Sequence, residues 1–500
     1  MISGGVRTIL ALSAAAGALA VPQGAAQADT LQEALTDAYL NNPTLEAARA
    51  QLRATDAGVP LERAAGLPSL DGTATYTEVL KQNSTSFFAP GRSLNAGVDL
   101  GVPIYSGGAV KNAVRSAEQR VEAGRADLRA TESAIFSRVV AAYMDVLRGQ
   151  ALVSLSANQV DVLSVNVDAT SDRFEIGDLT RTDVAQSEAR LAVAQSDLRS
   201  AQANLIAARE TYIALVGDAP TDLAPPPPLP GFPDDVATAV DIALESNPDL
   251  IAARERAAAA GYDIDVAGSG RLPRVSVFAG YDYQNFLGSV ADGRLDPTDP
   301  DSPIVPSDQT AAGASMGVSL RLPIFQGGRT AALQRQAQAR ASAALENVIA
   351  AERDVISQVR ASWSSWQASL AIIESSQLAV SAAELSLEGV RAENSIGNRT
   401  ILDVLNAEQE LLQSRVQLVT ARRNAYVAGF SLLAAMGRAE ARDLGLADEG
   451  VLYDPVVNYD RVRGNVFDWA RDPDPVAKSP RTVDVPAATA EIPETADSAD

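Results

Sequence analysis

The sequence predicts a mainly helical protein with a β-barrel portion, laid down as two copies of one plan. Three observations carry that expectation. Four segments of about ten residues alternate apolar with polar or small side chains, as strands with a single apolar face do. Long Ala-, Gln-, Arg-, Glu- and Leu-rich segments without proline follow, and in two of them apolar residues recur every seven positions, the mark of a coiled-coil seam. The order of these elements then repeats at a nearly fixed offset, which defines an internal two-fold repeat.

Composition narrows the function classes before any element is placed. Hydrophobic residues make up 46% of the 500 but aromatics only 5%, which suits long helices with narrow seams better than a thick globular core. A formal charge of −22 argues against a nucleic-acid partner, since phosphate binding needs clustered Lys and Arg. The chain has no cysteine and no histidine, so disulfides, thiol nucleophiles and the commonest general base and metal ligand are all missing. No P-loop or metal-ligand spacing occurs either, so neither an enzyme nor a cofactor is expected. The acidic run Asp292, Asp296, Asp299 and Asp301 lacks the spacing and the bidentate Glu of a calcium loop, and reads as solvated loop.

Taken from the start, residues 1–28 have the form of a signal peptide: Arg7, the apolar run ILALSAAAGALAV at 9–21, then Ala26-Gln27-Ala28. No cysteine follows to carry a lipid. A first repeat is expected over 29–223, with an opening helix, strands at about 68–78 and 94–104, and long helices at 107–172 and 180–217. A Pro-rich linker, 224–235, separates it from a second repeat over 236–447. That copy has strands at about 273–285 and 313–325 and long helices at 327–392 and 400–437. Residues 448–500 form an acidic Pro/Ala-rich tail, expected to be largely disordered. Asn42-Pro43-Thr44-Leu45 returns as Asn247-Pro248-Asp249-Leu250 at an offset of 205. Beyond the strands the offset is 220: Gly107-Gly108 with Gly327-Gly328, Ile176-Gly177 with Ile396-Gly397, Asp183-Val184 with Asp403-Val404.

The strands alternate without error. Leu94, Ala96, Val98, Leu100, Val102 and Ile104 share one face, and Ala314, Met316, Val318, Leu320, Leu322 and Ile324 share the corresponding one. Ten residues is the length of a tilted transmembrane β-strand. Loops 81–93 and 288–310 are the exposed connections, and Tyr76, Phe87, Phe88, Tyr281, Tyr283 and Phe286 are candidates for an interfacial aromatic girdle. Four strands cannot close a membrane barrel, because every edge in lipid must be paired, so strands must be pooled between subunits.

Helices of sixty-odd residues at about 1.5 Å each run on the order of 100 Å. The seven-residue seams are Val184, Leu191, Leu198, Leu205 and Tyr212, matched by Val404, Leu411, Leu418, Ala425 and Leu432. Each long helix is expected to stop at a glycine, Gly177 or Gly397, and each return helix to start at a capping threonine, Thr180 or Thr400.

These residues together resemble the TolC family of trimeric outer-membrane channel-tunnels. The resemblance covers nearly all of 29–447: the openings NNPTLEAARAQL and SNPDLIAARERA, the phrases VPIYSGG and LPIFQGG, and the tips FEIGDLTRTDV and NSIGNRTILDV. It implies a homotrimer whose twelve strands close one barrel in outer-membrane lipid and whose antiparallel coiled-coil helices continue it as a periplasmic α-barrel. It implies an exit duct for type I protein secretion or drug efflux, docked on a periplasmic adaptor and an inner-membrane ABC or RND transporter. The tips Ile176, Gly177, Asp178, Ile396, Gly397 and Asn398 would then meet the adaptor. Pro103 and Pro323 would end the strand ladders, and Gly107, Gly108, Gly327 and Gly328 would turn sheet into helix. A gate is also implied: an aspartate ring at Asp403 whose second position is Asn406 here, an ionic link between Arg399 and Asp183, a hydrogen-bonding position at Thr182, and Asn394 where the family has a tyrosine. The competing reading of a different class is a periplasmic adaptor or coiled-coil scaffold, which would explain the helical hairpins but not four alternating ten-residue segments.

Overall fold

The structure, a computed structural model, describes residues 29–81, 90–229, 231–290, 292–294, 298, 300–446 and 452–492. The signal segment, Phe87, Phe88 and the last eight residues lie outside them. The first repeat contains α1 (Leu31–Asn41), α2 (Pro43–Asp56), α3 (Gly58–Ala64), β1 (Ser69–Glu78), β2 (Arg92–Tyr105), α4 (Ala109–Glu175) and α5 (Arg181–Val216). The second contains α6 (Val236–Ser246), α7 (Pro248–Gly268), β3 (Arg274–Asn285), a short hairpin of β4 (Gly293–Arg294) and β5 (Ile304–Val305), β6 (Thr310–Arg321), α8 (Arg329–Ser395) and α9 (Ile401–Ala435). Helix α10 (Pro455–Val462) follows in the tail.

Each repeat is opened by an Asn-Pro step whose chemistry explains its recurrence. Asn42 N-caps α2 by accepting from Thr44 N, while its amide donates to Leu215 O at the end of α5, 2.9 Å away. Asn247 caps α7 in the same way and donates to Ala435 O at the end of α9, also at 2.9 Å. Both side chains are buried, and proline at the first helical position loses no needed N–H. The equivalence extends to the arginines that follow: Arg49 donates to Tyr39 O and Arg254 to Leu244 O. These joints close the main core, where Phe136, Tyr143, Leu45, Leu205, Leu250, Phe430 and Leu432 are fully or almost fully buried between the short helices and the middles of the long ones.

The four main strands form one antiparallel sheet in the order β1-β2-β3-β6. Residues directly paired across strands point to the same side. The register sets Leu70 beside Leu100, Val98 beside Tyr281, Ala279 beside Met316 and Val275 beside Leu320, all on one apolar face. Asp71, Asp99, Gly280 and Ser315 fall on the opposite, polar face. Both outer edges, β1 and β6, lack a neighbour among the described residues.

Two details differ from the sequence expectation. Pro103 does not end its ladder: it pairs with Ser276 inside β2, and the register slips at Ile104 before Tyr105 pairs with Val275. The reason is positional, since β1 begins at the level of Gly101, so β2 is an edge strand at Pro103 and the missing N–H faces no partner. In the second copy the strand stops at Arg321, two residues short of Pro323.

Helices α4 and α8 each run 67 residues, about 100 Å. Helix α4 buries side chains from Ser116 to Thr170, against α5, α7 and α9. Its repeat counterpart α8 buries only Ala341, Val355, Val359, Ser376, Ala383 and Leu387, and leaves Leu345, Leu378 and Leu385 exposed. An 18-residue window of α8 is apolar enough to cross a membrane by composition, but α8 packs on α9, as α4 does on α5, and on α7.

The linker and the tail both pack onto this frame. Pro227 O accepts from Tyr426 Oη, and Phe232 stacks on Trp366 with ring centroids 4.3 Å apart. The tail, expected to be largely disordered, is held over 452–492 by scattered polar contacts to distant helices. Asn458 donates to Asp56 at 2.7 Å, Tyr453 N to Tyr39 Oη at 2.9 Å, Ala488 N to Glu210 at 2.8 Å, and Arg209 to Thr489 O. Lack of periodicity excludes a core of its own, yet each of these contacts needs only one side chain facing a scaffold already folded.

Candidate functional site

The two hairpin tips are built alike, from local rules. At the end of α4, Gly177 takes φ 83°, its N–H bonds Phe174 O and Asp178 N bonds Arg173 O; at the end of α8, Gly397 takes φ 80°, with Asn394 O and Glu393 O accepting. This is the Schellman closure, which needs a residue without Cβ at its left-handed position. Each return helix then opens with a capping box. Thr180 N and Oγ1 donate to Asp183 Oδ2 at 2.9 and 2.7 Å, and Thr400 N and Oγ1 to Asp403 Oδ2 at 3.0 and 2.7 Å. Ile176 and Ile396 at these turns are 80% and 71% exposed.

The expected gate residues therefore have local partners first. Hydrogen bonds from Thr180 hold the Asp183 carboxyl below its usual range; Thr400 does the same for Asp403, with Arg399 adding a smaller effect. Arg399 bonds Glu393 at 2.7 Å and not Asp183; within one chain the anticipated ionic link is absent among the described residues. Asn394 donates to Arg399 O at 2.8 Å, bracing the turn, and Thr182 is exposed. Asn406, one turn along from Asp403, accepts from Arg190 of α5 at 3.0 Å, so it joins the two hairpins.

A second, buried connection escaped the sequence reading. Glu408 on α9 is 3% exposed, and its carboxylate accepts from Arg391 of α8 at 3.0 Å and from the Asn166 amide of α4 at 3.1 and 3.2 Å. One carboxylate thus ties both arms of the α8–α9 hairpin to α4. Leu163, Ala194 and Leu405 pack beside it as an apolar contact between α4, α5 and α9. The signal in the sequence was an acidic residue between Val404 and Leu411 on the apolar stripe, where a charge is retained only if paired. Moving one hairpin relative to the other has to break this node and the Arg190–Asn406 bond.

At the opposite end of the helices, Gly107 and Gly108 take φ 65° and 79°, and Gly327 and Gly328 take 59° and 82°. Two successive left-handed residues turn the chain from the base of a strand into the first turn of α4 or α8, and glycine is the residue that does so without strain. The apolar sheet and the long helices are thereby continuous.

Comparison with known proteins agrees with this geometry. The outer membrane efflux protein family matches residues 34–218 and 239–438, one segment in each repeat. The outer membrane efflux protein BepC of Brucella suis is 32% identical over 452 residues, covering 90% of this chain and 94% of that one. The outer membrane protein TolC of Vibrio cholerae is 28% identical over 441 residues, covering 87% and 96%. The Campylobacter jejuni CmeC outer membrane channel superimposes with a TM-score of 0.70 over 88% of this chain and 90% of that one, at 17% identity, and so supports the fold. The adaptor or scaffold alternative is set aside: the chain belongs to the outer membrane efflux protein family and is an efflux channel of the Gram-negative outer membrane.

Proposed function

We propose that three copies close one twelve-stranded barrel and that their helices continue it as a periplasmic tunnel whose tips form the gate. The observation that carries this reading is the open sheet. A four-stranded sheet with an apolar face cannot stay in lipid with two bare edges. Edges β1 and β6 run antiparallel to each other through the sheet order, so β6 of one copy can pair with β1 of the next and leave no edge. The poorly buried face of α8 supports the same assembly.

In this reading residues 1–28 direct export and are removed. Asp403 of each copy narrows the entrance, Asn406 contributes no charge there, and Arg399, Asp183, Thr182 and Asn394 belong to contacts at the tips that loosen on opening. The exposed Ile176 and Ile396, presented on the turns of Gly177-Asp178 and Gly397-Asn398, are the apolar points for a periplasmic adaptor. The adaptor in turn couples the duct to an inner-membrane ABC or RND transporter, for efflux of small molecules or for type I protein secretion. The test is single-channel recording of the detergent-purified protein in a lipid bilayer, with mass measured on the same sample. A trimer with small, cation-selective currents is expected; a monomer, or a trimer that leaves the bilayer silent, refutes the reading.

A further inference from the structure

The internal repeat shows how a strand-to-helix corner is seated, and shows one corner left empty. Within the chain, the β2–α4 corner rests on α7 and the residues after it. A Cβ on Gly107 would lie 2.8 Å from Leu272 Cβ and 3.2 Å from Ser269 O. Next to it Ser116 donates to Ala259 O and Asp263, Arg120 pairs with Asp263 at 2.6 Å, and Arg115 lies 5.8 Å from the centroid of the Tyr262 ring. The equivalent corner of the second repeat touches the end of α7 in its own repeat, where Gln326 Nε2 donates to Gly270 O at 3.0 Å, but its other side is bare: Gly327 has no atom within 4 Å of its would-be Cβ, and Ile324 and Phe325 are 92% and 87% exposed.

The repeat offset also names the missing seat. Tyr262, Ser269 and Leu272 correspond to Ala57, Ala64 and Leu67 at the offset of 205. These three residues line an open groove of about 920 Å³ whose other wall is the tail, including Val462, Val466 and Phe467. Arg63 donates to Arg463 O and holds the two walls together, and Val466 and Phe467 are each about two-thirds exposed. The groove carries Arg63, Arg461 and Arg471 beside Asp71, Asp468 and Asp472, so its fit to the corner rests on shape and apolar surface and not on net charge.

We infer that the groove between α3 and the tail receives the Ile324–Gly327 corner of a second copy of this chain, so that the tail forms part of the subunit interface. This rests on the three-copy reading above and makes it specific. The seam between repeats of one chain is held by its covalent linker and has no such wall, whereas the seam between chains has none to hold it and gains apolar area from Val466 and Phe467.

The absence of cysteine makes the test clean. Phe325→Cys and Phe467→Cys are introduced together in the full-length protein, which is treated in detergent with a short bismaleimide and run on a denaturing gel, with the mass of the untreated assembly measured on the same sample. Covalent dimers and trimers are expected from the double variant and not from either single one. A trimer by mass that gives no covalent ladder overturns the inference and leaves the channel reading standing, with Phe467 then facing lipid or water. A monomer by mass overturns both. Should the double variant fail to accumulate, Phe467→Asp alone decides: it is expected to lower the temperature at which the trimer dissociates in SDS by several degrees with helical content unchanged, and an unshifted midpoint overturns the inference.

Discussion

Replacing Glu408 by alanine tests whether the buried node holds the gate shut. The substitution removes three hydrogen bonds to the carboxylate, from Arg391 and twice from the Asn166 amide. Each such bond contributes roughly 1.5 to 3 kcal/mol in general, but the losses here are not additive. Arg391 is 51% exposed and turns to water when its partner goes, so its share is small. Asn166 is half-buried in the α4–α9 seam and keeps an unsatisfied donor, costing about 1 to 3 kcal/mol. The balance is about 2 kcal/mol per subunit, and in the proposed trimer three copies opening together would shift the closed state by about 6 kcal/mol, enough to change its population by orders of magnitude. Single-channel recording should show larger or longer resting openings in Glu408→Ala, with a lesser effect in Glu408→Gln, which keeps the volume and one acceptor. Asn166→Ala combined with Glu408→Ala should add little to the single change, giving a coupling of about 1 kcal/mol. Wild-type conductance in Glu408→Ala, or full additivity with Asn166→Ala, refutes the node as a lock.

Three further outcomes follow from other sites. Burial pushes the Glu132 carboxyl up to about 7, with Glu440 beside it adding to the shift and the Ala441 N–H, 2.5 Å away, opposing it. The folded state therefore keeps a proton that the unfolded chain releases near 4.5, and stability falls as pH rises through 4.5 to 7. Glu132→Gln should flatten that slope and be more stable than wild type at pH 8 but not at pH 5, by no more than about 3 kcal/mol; equal unfolding midpoints at both pH values refute the assignment. Asp403→Asn and Asp403→Ala should both weaken divalent-cation block, but only the alanine removes the acceptor that Thr400 uses, so faster amide exchange at the start of α9 is expected in Asp403→Ala alone. Asn42→Ala and Asn247→Ala should each destabilise by about 2 to 3 kcal/mol, a lost cap plus an orphaned buried carbonyl; denaturant titration showing very different costs at the two sites would count against their equivalence.

What could be read from the sequence was what the chain encodes locally. The strands appear through a period of two, the tips through Gly177 and Gly397, the return helices through Thr180 and Thr400. The capping role of Asp183 and Asp403 was legible in the same way, as Thr-x-x-Asp, although the resemblance drew those residues toward the gate. What was missed joins residues far apart in the chain. Asn166 and Glu408 are 242 positions apart and Asp56 and Asn458 are 402 apart, and no periodicity reports such pairs. Pro103 was misread for a related reason: whether a proline ends a ladder depends on where the neighbouring strand begins, and that is a property of the sheet.

The repeat also explains why the two long helices are written so differently. Both are 67 residues long and both start from a double-glycine corner, yet α4 is lined with buried side chains and α8 is not. Helix α4 packs on α2, α3 and α7 of its own chain and α8 on α7, and the α4–α7 seam, always present, carries the ion pairs Arg120–Asp263 and Arg256–Asp127. Helix α8, at the offset of 220, has Arg340 and Asn347 where α4 has Arg120 and Asp127, and α2–α3, at the offset of 205, has Gly58 and Gln51 where α7 has Asp263 and Arg256. In the proposed assembly the seam between chains would replace one ion pair by two neutral amides and leave the other arginine without its aspartate. Neutral partners lower the desolvation cost of meeting a separate chain, and the association then depends on shape and apolar area, which the corner residues Ile324 and Phe325 supply. In the proposed three-copy assembly the six units would meet at two kinds of seam, one fixed during folding and one formed on assembly.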